Sequence, residues 1–208
     1  MLLLDLLYPP KCSLCGTLGN EPVCGPCFSH FETQPAESLT ISAPLDYAHA
    51  LFDYTGPAAK SVQRFKYERV TSLAPWMADR MAEGAAERGL LNEDIIIPVP
   101  IHWSRTVTRG FNQAELLCEQ LPCELISNNI LRRTRATRPQ VGLSHEERAR
   151  NLEGAFEVIQ PVEGKSVLLV DDVLTSGGTA RECASVLKKA GAIEVGIYTF
   201  AAERRWRS

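Results

Sequence analysis

Two acidic residues and a run of hydroxyl and glycine residues follow one another in the C-terminal part of the chain. Asp171 and Asp172 come directly after the apolar run 167–170, and Thr175, Ser176, Gly177, Gly178 and Thr179 follow shortly after. Glycines allow a tight turn, and amides at a helix N-terminus together with hydroxyl groups bind a phosphate dianion. Two neighbouring carboxylates accept hydrogen bonds from vicinal ribose hydroxyls and attract Mg²⁺. Residues 167–179 therefore predict a site for a ribose phosphate ester, most simply phosphoribosyl pyrophosphate (PRPP).

Two other interpretations of this stretch are weaker. A hydroxyl-rich helix cap after a buried strand would look similar, but it would not need the adjacent acidic pair. A response-regulator receiver domain also has two aspartates at the end of its opening strand. The chain ends at residue 208, and too few residues follow Asp171 to complete a five-stranded doubly wound domain of that kind.

A second group of residues with metal-binding chemistry lies near the N-terminus. Two Cys-x-x-Cys pairs are formed by Cys12, Cys15, Cys24 and Cys27. Four thiolates at this spacing favour a tetrahedral, structural Zn²⁺ site that stabilises a short segment. Two redox-active pairs are the alternative, but no thioredoxin-like unit surrounds them. Packed positions without a chemical function are predicted for Cys118, Cys123 and Cys183.

Apolar strands that alternate with helices must position these groups. Strands are predicted at residues 47–54, 95–99, 124–131, 167–170 and 195–200, and helices at 57–65, 73–88, 112–120 and 179–189. This alternation predicts a mostly parallel sheet covered by helices, with ligands at the carboxyl ends of the strands. A connector at residues 34–44 divides the chain into an N-terminal zinc-binding module, residues 1–40, and an α/β domain, residues 45–208.

Composition excludes several other classes of protein. The 208 residues are 45% hydrophobic, which suits one main core and excludes a disordered chain. The net charge of -3 gives no global reason to expect a polyanion partner. No apolar run reaches the roughly 18 residues of a spanning helix, and the apolar start is interrupted by Asp5. A cytoplasmic protein without a secretory signal or membrane insertion is therefore expected.

Several further motifs resemble those of the type I phosphoribosyltransferases and, among them, the ComF family of competence proteins. Besides the stretch 167–179 and the cysteine pairs, they are Ile-Pro-Val-Pro at 97–100, Arg105, Arg-Gly-Phe-Asn-Gln-Ala at 109–114, Gln-Val-Gly-Leu-Ser at 140–144, Arg148, Asn151 and Gly-Ala-Phe at 154–156. The resemblance covers nearly the whole chain. It implies a phosphoribosyltransferase type I-like parallel sheet flanked by helices, a small four-cysteine zinc module, PRPP with Mg²⁺ as ligand, and a role in DNA uptake during natural transformation.

The resemblance also implies a pyrophosphate site. In this fold the segment after the strand at 95–99 holds pyrophosphate, which assigns that role to Arg105, Arg109 and Gly110. Arginine suits phosphate geometry, and glycine permits close approach of the backbone. Lys66 is a further cation of the PRPP site. A solvated basic loop is the alternative interpretation of residues 100–110.

An arginine-rich segment at residues 131–150 corresponds, in the resembling fold, to the loop that closes over PRPP. Arg138 or Arg148 would there stabilise the departing pyrophosphate, so these two residues join Asp171 and Asp172 as predicted catalytic residues. A contact with the nucleic-acid backbone and a solvated face are equally open interpretations of the segment.

Three functions remain open from the sequence. The chain is a phosphoribosyltransferase-like protein acting in DNA uptake, a non-catalytic module that senses PRPP and binds single-stranded DNA or other competence proteins, or a nucleobase-salvage phosphoribosyltransferase. Neither a base-specific pocket nor a general base is recognisable. His102 and Trp103 are interpreted as packing residues rather than base contacts. The terminal residues 204–207 are either a stacking and phosphate patch for single strands or a basic tail.

Overall fold

A four-stranded parallel sheet forms the centre of the computed structural model. The model describes residues 9–206 except residues 36, 69 and 136–150, and the side chains of Arg105, Arg109 and Arg205 are outside the description. In spatial order the strands are β1 (Tyr47–Asp53), β6 (Glu194–Ala202), β5 (Ser166–Leu174) and β2 (Ile95–Pro98). All three pairings are parallel, so the carboxyl ends of the four strands meet at one edge. This confirms the predicted α/β class.

The two central strands are buried on both faces. Val167, Leu168, Leu169 and Val170 of β5 are each fully buried, as are Ile197 and Tyr198 of β6. Continuous apolar runs of this kind are expected where helices cover both faces of a parallel sheet. Each central strand has nine residues and extends beyond the predicted boundaries.

Helices pack on both faces of the sheet. Among the described residues they are α1 (Gly25–Phe28), α2 (Gly56–Tyr67), α3 (Leu73–Glu87), α4 (Trp103–Arg109), α5 (Gln113–Leu117) and α6 (Gly178–Lys189), with short 3₁₀ turns at Leu90–Asn92 and Arg204–Trp206. Apolar residues of α2, α3 and α5 join one buried cluster with Leu168 and Tyr198. Apolar residues of α6 join a second cluster with Leu169 and Ile197 on the opposite face. Within the described part of the chain, no helix has the length and apolar character needed to span a membrane.

Three predicted elements differ from the structure. The strand predicted at residues 124–131 is wrong: only Ile126 pairs beside β2, through a single bridge to Ile96, and polar residues 127–129 follow it in a turn. Leu131 instead begins β3 (Leu131–Arg133), which pairs antiparallel with β4 (Phe156–Val158). The helix predicted at 112–120 ends at Leu117, and residues 103–109, predicted as part of a loop, form α4.

The cysteine-bearing segment packs against the α/β core. Its residues Cys12, Leu14, Val23 and Phe31 belong to the same buried cluster as residues of α2 and α3. The ring of Phe31 lies 4.9 Å from that of Phe52 on β1, measured between centroids. A backbone hydrogen bond also joins the segment to β1, because the Gln34 amide donates to the carbonyl of Leu51 at 2.8 Å. The division into two domains stays a prediction.

Candidate functional site

The acidic pair lies inside β5 rather than after it. Strand β5 continues through Asp171 and Asp172 to Leu174, with Asp171 in register with Thr199 of β6. Neighbouring strand residues point to opposite faces. Asp172 is 3% exposed and Asp171 is half-buried, so both carboxylates lie in a restricted environment at the carboxyl edge of the sheet.

Lys66 neutralises part of this charge. Its Nζ lies 2.7 Å from Oδ1 of Asp172, and the lysine comes from the last turn of α2. Burial lowers the pKa of Lys66, but the charges of Asp172 and Asp171 outweigh that effect and raise its pKa. Burial, followed by the charge of Asp172, raises the pKa of Asp171 to about 7. The site thus holds one firmly paired carboxylate and one whose charge depends on pH near neutrality.

A glycine loop links β5 to α6. Gly177 has φ 72°, a left-handed conformation that glycine adopts without steric cost, and α6 begins at Gly178. Residues 175–180 line a cavity of about 40 Å³ together with Asp171 and Ile197. A Cβ on Gly178 would lie 2.9 Å from Cδ1 of Leu152, so a larger residue would disturb the loop. The loop therefore combines a small cavity, a helix N-terminus and hydroxyl groups at one point.

The predicted pyrophosphate residues follow β2. Arg105 and Arg109 lie in α4. Gly110 ends that helix with φ 90°, and its amide N–H donates a hydrogen bond to the carbonyl of Thr106. A residue in the left-handed conformation commonly follows the end of a helix, and glycine adopts that conformation most easily, so the helix end by itself explains Gly110. Buried His102 caps α4 through Nδ1, which accepts from the Ser104 amide at 3.3 Å. This agrees with the packing role predicted for His102. The packing role predicted for Trp103 is wrong, because Trp103 is 69% exposed.

Other sequence predictions have different outcomes. Arg138 and Arg148 lie outside the described residues. Cys118 and Cys183 are buried as predicted, but Cys123 is exposed, because it lies in a turn after Pro122. The stacking patch predicted at residues 204–207 is wrong for Trp206, which is only 8% exposed.

Arg204 is likewise committed to protein contacts. It pairs with the carboxylates of Asp53 and Glu32. Local sequence does not predict the contacts of Arg204 and Trp206, because they join residues far apart in the chain. The same holds for the direct contact of Lys66 with Asp172.

The four N-terminal cysteines converge. Their Sγ atoms all lie within 4.8 Å of one another, and those of Cys15 and Cys24 are 3.6 Å apart. Tetrahedral zinc with bonds of about 2.3 Å places its sulfurs about 3.8 Å apart. The amides of Leu14 and Cys24 each donate to Sγ of Cys12 at 3.4 Å. Such bonds stabilise thiolate charge, so the donor set and its surroundings fit a metal ion.

Helix α2 holds the first turn of this cluster. Nζ of Lys60 donates to the carbonyl of Leu14 at 2.5 Å, and Nη1 of Arg64 donates to the carbonyl of Ser13. Both carbonyls lie between Cys12 and Cys15. The same helix carries Lys66, so one element contacts the cysteine cluster and the acidic pair.

Several known proteins are similar to this chain. The phosphoribosyl transferase domain family matches residues 92–207. "DNA utilization protein YhgH" of Shigella flexneri is 34% identical over 202 residues, covering 93% of this chain and 83% of that protein. "Competence protein F" of Haemophilus influenzae is 32% identical over 214 residues, covering 94% of this chain and 93% of that protein.

A solved purine phosphoribosyltransferase from Pyrococcus horikoshii aligns with 64% of this chain and 76% of its own, at 24% identity and a TM-score of 0.40. The family match covers more than half of the chain, and the two curated relatives extend over almost all of it. The chain therefore belongs to the phosphoribosyl transferase domain family and, within it, to the ComF family of competence proteins.

Proposed function

We propose that this protein binds PRPP with Mg²⁺ at the carboxyl edge of its sheet and acts in DNA uptake during natural transformation. The observation that carries the PRPP site is the meeting of an acidic pair, buried Asp172 and half-buried Asp171, with a glycine loop at the N-terminus of a twelve-residue helix. The acidic pair suits ribose hydroxyls, and the loop suits a phosphate. Ribose 5-phosphate carries both groups.

Each element of the site then has a distinct role. Residues 175–179 bind the 5-phosphate through amides and hydroxyl groups. Asp171 and Asp172 accept the ribose hydroxyls and would hold Mg²⁺, which would neutralise charge on the pyrophosphate. Lys66 orients Asp172 through its 2.7 Å contact. Arg105 and Arg109, from the helix after β2, bind the pyrophosphate, with Arg138 or Arg148 contributing from the segment between β3 and β4.

Transfer chemistry follows from the same arrangement. Breaking the bond between C1 of the ribose and pyrophosphate leaves the electron pair on pyrophosphate and positive charge on the sugar. In this proposal the negative charge of Asp171 and Asp172 stabilises that cation until an acceptor forms the new bond. Pyrophosphate release on adding a single nucleobase would identify a salvage enzyme, whereas PRPP binding without release with any acceptor favours a sensing module.

The cysteine cluster is proposed to hold a structural Zn²⁺. Four converging sulfurs satisfy its tetrahedral preference without leaving an open position for a substrate. Elemental analysis of protein purified without chelator should give one zinc per chain. A chelator that removes it should lower the unfolding temperature, because the knuckle carbonyls bonded to Lys60 and Arg64 lose their support.

Calorimetric titration of Mg²⁺ and PRPP into the purified protein tests the ribose phosphate site. Saturable binding is expected for the wild type and should disappear in Asp171→Asn, Asp172→Asn. Asp79→Asn, an exposed aspartate on α3, is the matched control and should bind normally. Absence of binding to the wild type would refute the PRPP proposal, and unchanged binding to the double variant would refute the assigned carboxylates.

The DNA-uptake role rests on the two curated relatives and needs a separate experiment. A Haemophilus influenzae strain lacking Competence protein F should regain transformation when it expresses this chain. Failure of an equally abundant wild-type chain would count against the role. If Asp171→Asn, Asp172→Asn restores transformation fully, DNA uptake does not depend on PRPP. Binding of single-stranded DNA that weakens as salt rises would add a direct nucleic-acid contact.

A further inference from the structure

The C-terminal turn Arg204–Trp206 lies against the back of the glycine loop. Nε1 of Trp206 donates to the carbonyl of Thr175 at 2.7 Å. A Cβ on Gly177 would lie 3.1 Å from Cη2 and Cζ2 of the same ring, so the indole packs directly on the loop backbone. Trp206 is 8% exposed, which makes this a buried contact between segments about 30 residues apart.

A second side chain reinforces the contact. The guanidinium of Arg181, on the first turns of α6, lies 5.5 Å from the centroid of the Trp206 ring. Nη1 of the same arginine donates to the carbonyl of Ser176 at 3.3 Å. Two consecutive carbonyls of the loop, those of Thr175 and Ser176, are therefore fixed by Trp206 and Arg181.

Fixing these carbonyls also fixes the amides that follow them. In a planar trans peptide the C=O and the N–H point in opposite directions. Carbonyls held toward the side chains of Trp206 and Arg181 thus direct the amides of Ser176 and Gly177 away from those side chains. Among the described residues neither amide donates to a backbone acceptor. Oriented amides with no backbone acceptor in the described part of the chain are the donors that an anion site needs.

The turn itself is anchored to other parts of the fold. The carbonyl of Trp206 accepts a bond from the Thr40 amide at 3.1 Å. Nε of Arg204 donates to Oδ2 of Asp53, the last residue of β1, at 3.1 Å. Because the turn Arg204–Trp206 is anchored at both of its ends, Trp206 can maintain the conformation of the glycine loop before a ligand arrives.

We infer that Trp206 is a positioning residue for the phosphate loop, which it holds with the amides of Ser176 and Gly177 turned toward the 5-phosphate of the ligand. The inference rests on the proposed ribose phosphate site and adds a residue outside the motif. It assigns no contact between Trp206 and the ligand. The indole acts through the backbone of residues 175–177.

Trp206→Phe removes the Nε1 donor and keeps an aromatic ring, so it tests the hydrogen bond. Affinity for ribose 5-phosphate, measured by calorimetry, should fall about five- to tenfold, as expected for one lost neutral hydrogen bond. PRPP affinity should fall by the same factor, because both ligands share the 5-phosphate. Trp76→Phe is the matched control, since Trp76 packs against Phe28 and Phe31 away from the loop. It should leave both affinities unchanged.

Fluorescence gives a readout that a general loss of stability would not produce. In Trp76→Phe, Trp103→Phe, the remaining Trp206 should change its emission on saturation with ribose 5-phosphate, because phosphate charge at the Ser176 amide polarises the peptide whose carbonyl accepts from Nε1. This measurement also serves if Trp206→Phe does not fold. Equal ribose 5-phosphate affinities for Trp206→Phe and Trp76→Phe, or an unresponsive Trp206, would overturn the inference alone. A wild type that binds neither ligand would overturn the proposed site together with it.

Discussion

Replacing Asp171 by asparagine should make the unliganded protein relatively more stable as pH rises. Burial and the neighbouring Asp172 charge raise the pKa of Asp171 from 3.8 to about 7 in the folded protein. A folded-state pKa above the unfolded value means that the contribution of Asp171 to stability is fully present below about pH 4 and is lost as pH rises through 7. Asparagine cannot titrate, and it keeps an Oδ1 for the 2.8 Å bond from the Asp172 amide.

The expected size of this effect follows from the same pKa. Between pH 5 and pH 8, about two pH units lie below the folded-state pKa, and each is worth about 1.4 kcal/mol. Because Asp171 is only half-buried, we expect the difference in unfolding free energy, Asp171→Asn minus wild type, to increase by about 2 kcal/mol over this range. Urea unfolding in buffer free of phosphate and Mg²⁺ measures it at both pH values.

Asp79→Asn serves as the control because Asp79 is exposed on α3. Its difference from the wild type should stay nearly constant with pH. If Asp171→Asn showed the same constant difference, Asp171 would ionise normally in the folded protein. The assignment of a pH-dependent carboxylate beside the glycine loop would then be wrong. A confirmed increase, combined with lost PRPP binding, would show that the site retains a charge that destabilises the free protein.

Two further substitutions test the core around the site. Lys66→Met should lower the unfolding free energy at pH 8 by about 3 kcal/mol, because Asp172 is left buried without its partner. Combining Lys66→Met with Asp172→Asn should recover much of this loss. Additive losses of the two variants in urea unfolding would argue against the ion pair. Gly84→Ala should cost about 2 kcal/mol, since the new Cβ would meet Cδ2 of Leu51 and lie 2.6 Å from Oη of Tyr198. Gly19→Ala, with no atom within 4 Å of its Cβ, should change stability little, and equal melting temperatures for the two variants would contradict the close packing at Gly84.

The elements that the sequence predicts well are those with long apolar runs. Residues 167–170 and 195–200 predict buried strands because burial on both faces favours nearly continuous apolar runs, in which the buried Thr199 is the exception. The end of β5 could not be predicted in the same way, since two aspartates normally mark the end of a strand. They remain in β5 because the strand pairs with β6 as far as Leu174 and because Lys66 offsets charge from a distant helix.

The failed predictions share a physical cause, which is long-range contact. Residues 204–207 have the composition of an exposed basic tail, yet Trp206 is buried by the glycine loop and Arg204 pairs with Asp53 and Glu32. The apolar stretch before Leu131 suggested a strand, but only Ile126 reaches β2, and the next strand pairs with β4 instead. Local pattern indicates which segments are apolar, whereas the partner strand decides where each element ends.

Helix α2 gives a physical reason why the cysteine cluster and the proposed ribose phosphate site occur in one chain. Lys60 and Arg64 are four positions apart, so they lie on the same face of the helix and both donate to carbonyls of the first cysteine knuckle. Lys66 lies near the end of the same helix and contacts Asp172. A metal-bound knuckle would hold the two carbonyls in place, limit movement of α2 and so keep the lysine against the acidic pair. The N-terminal cluster would then support the proposed site through α2, as the C-terminal turn is inferred to support it through the glycine loop.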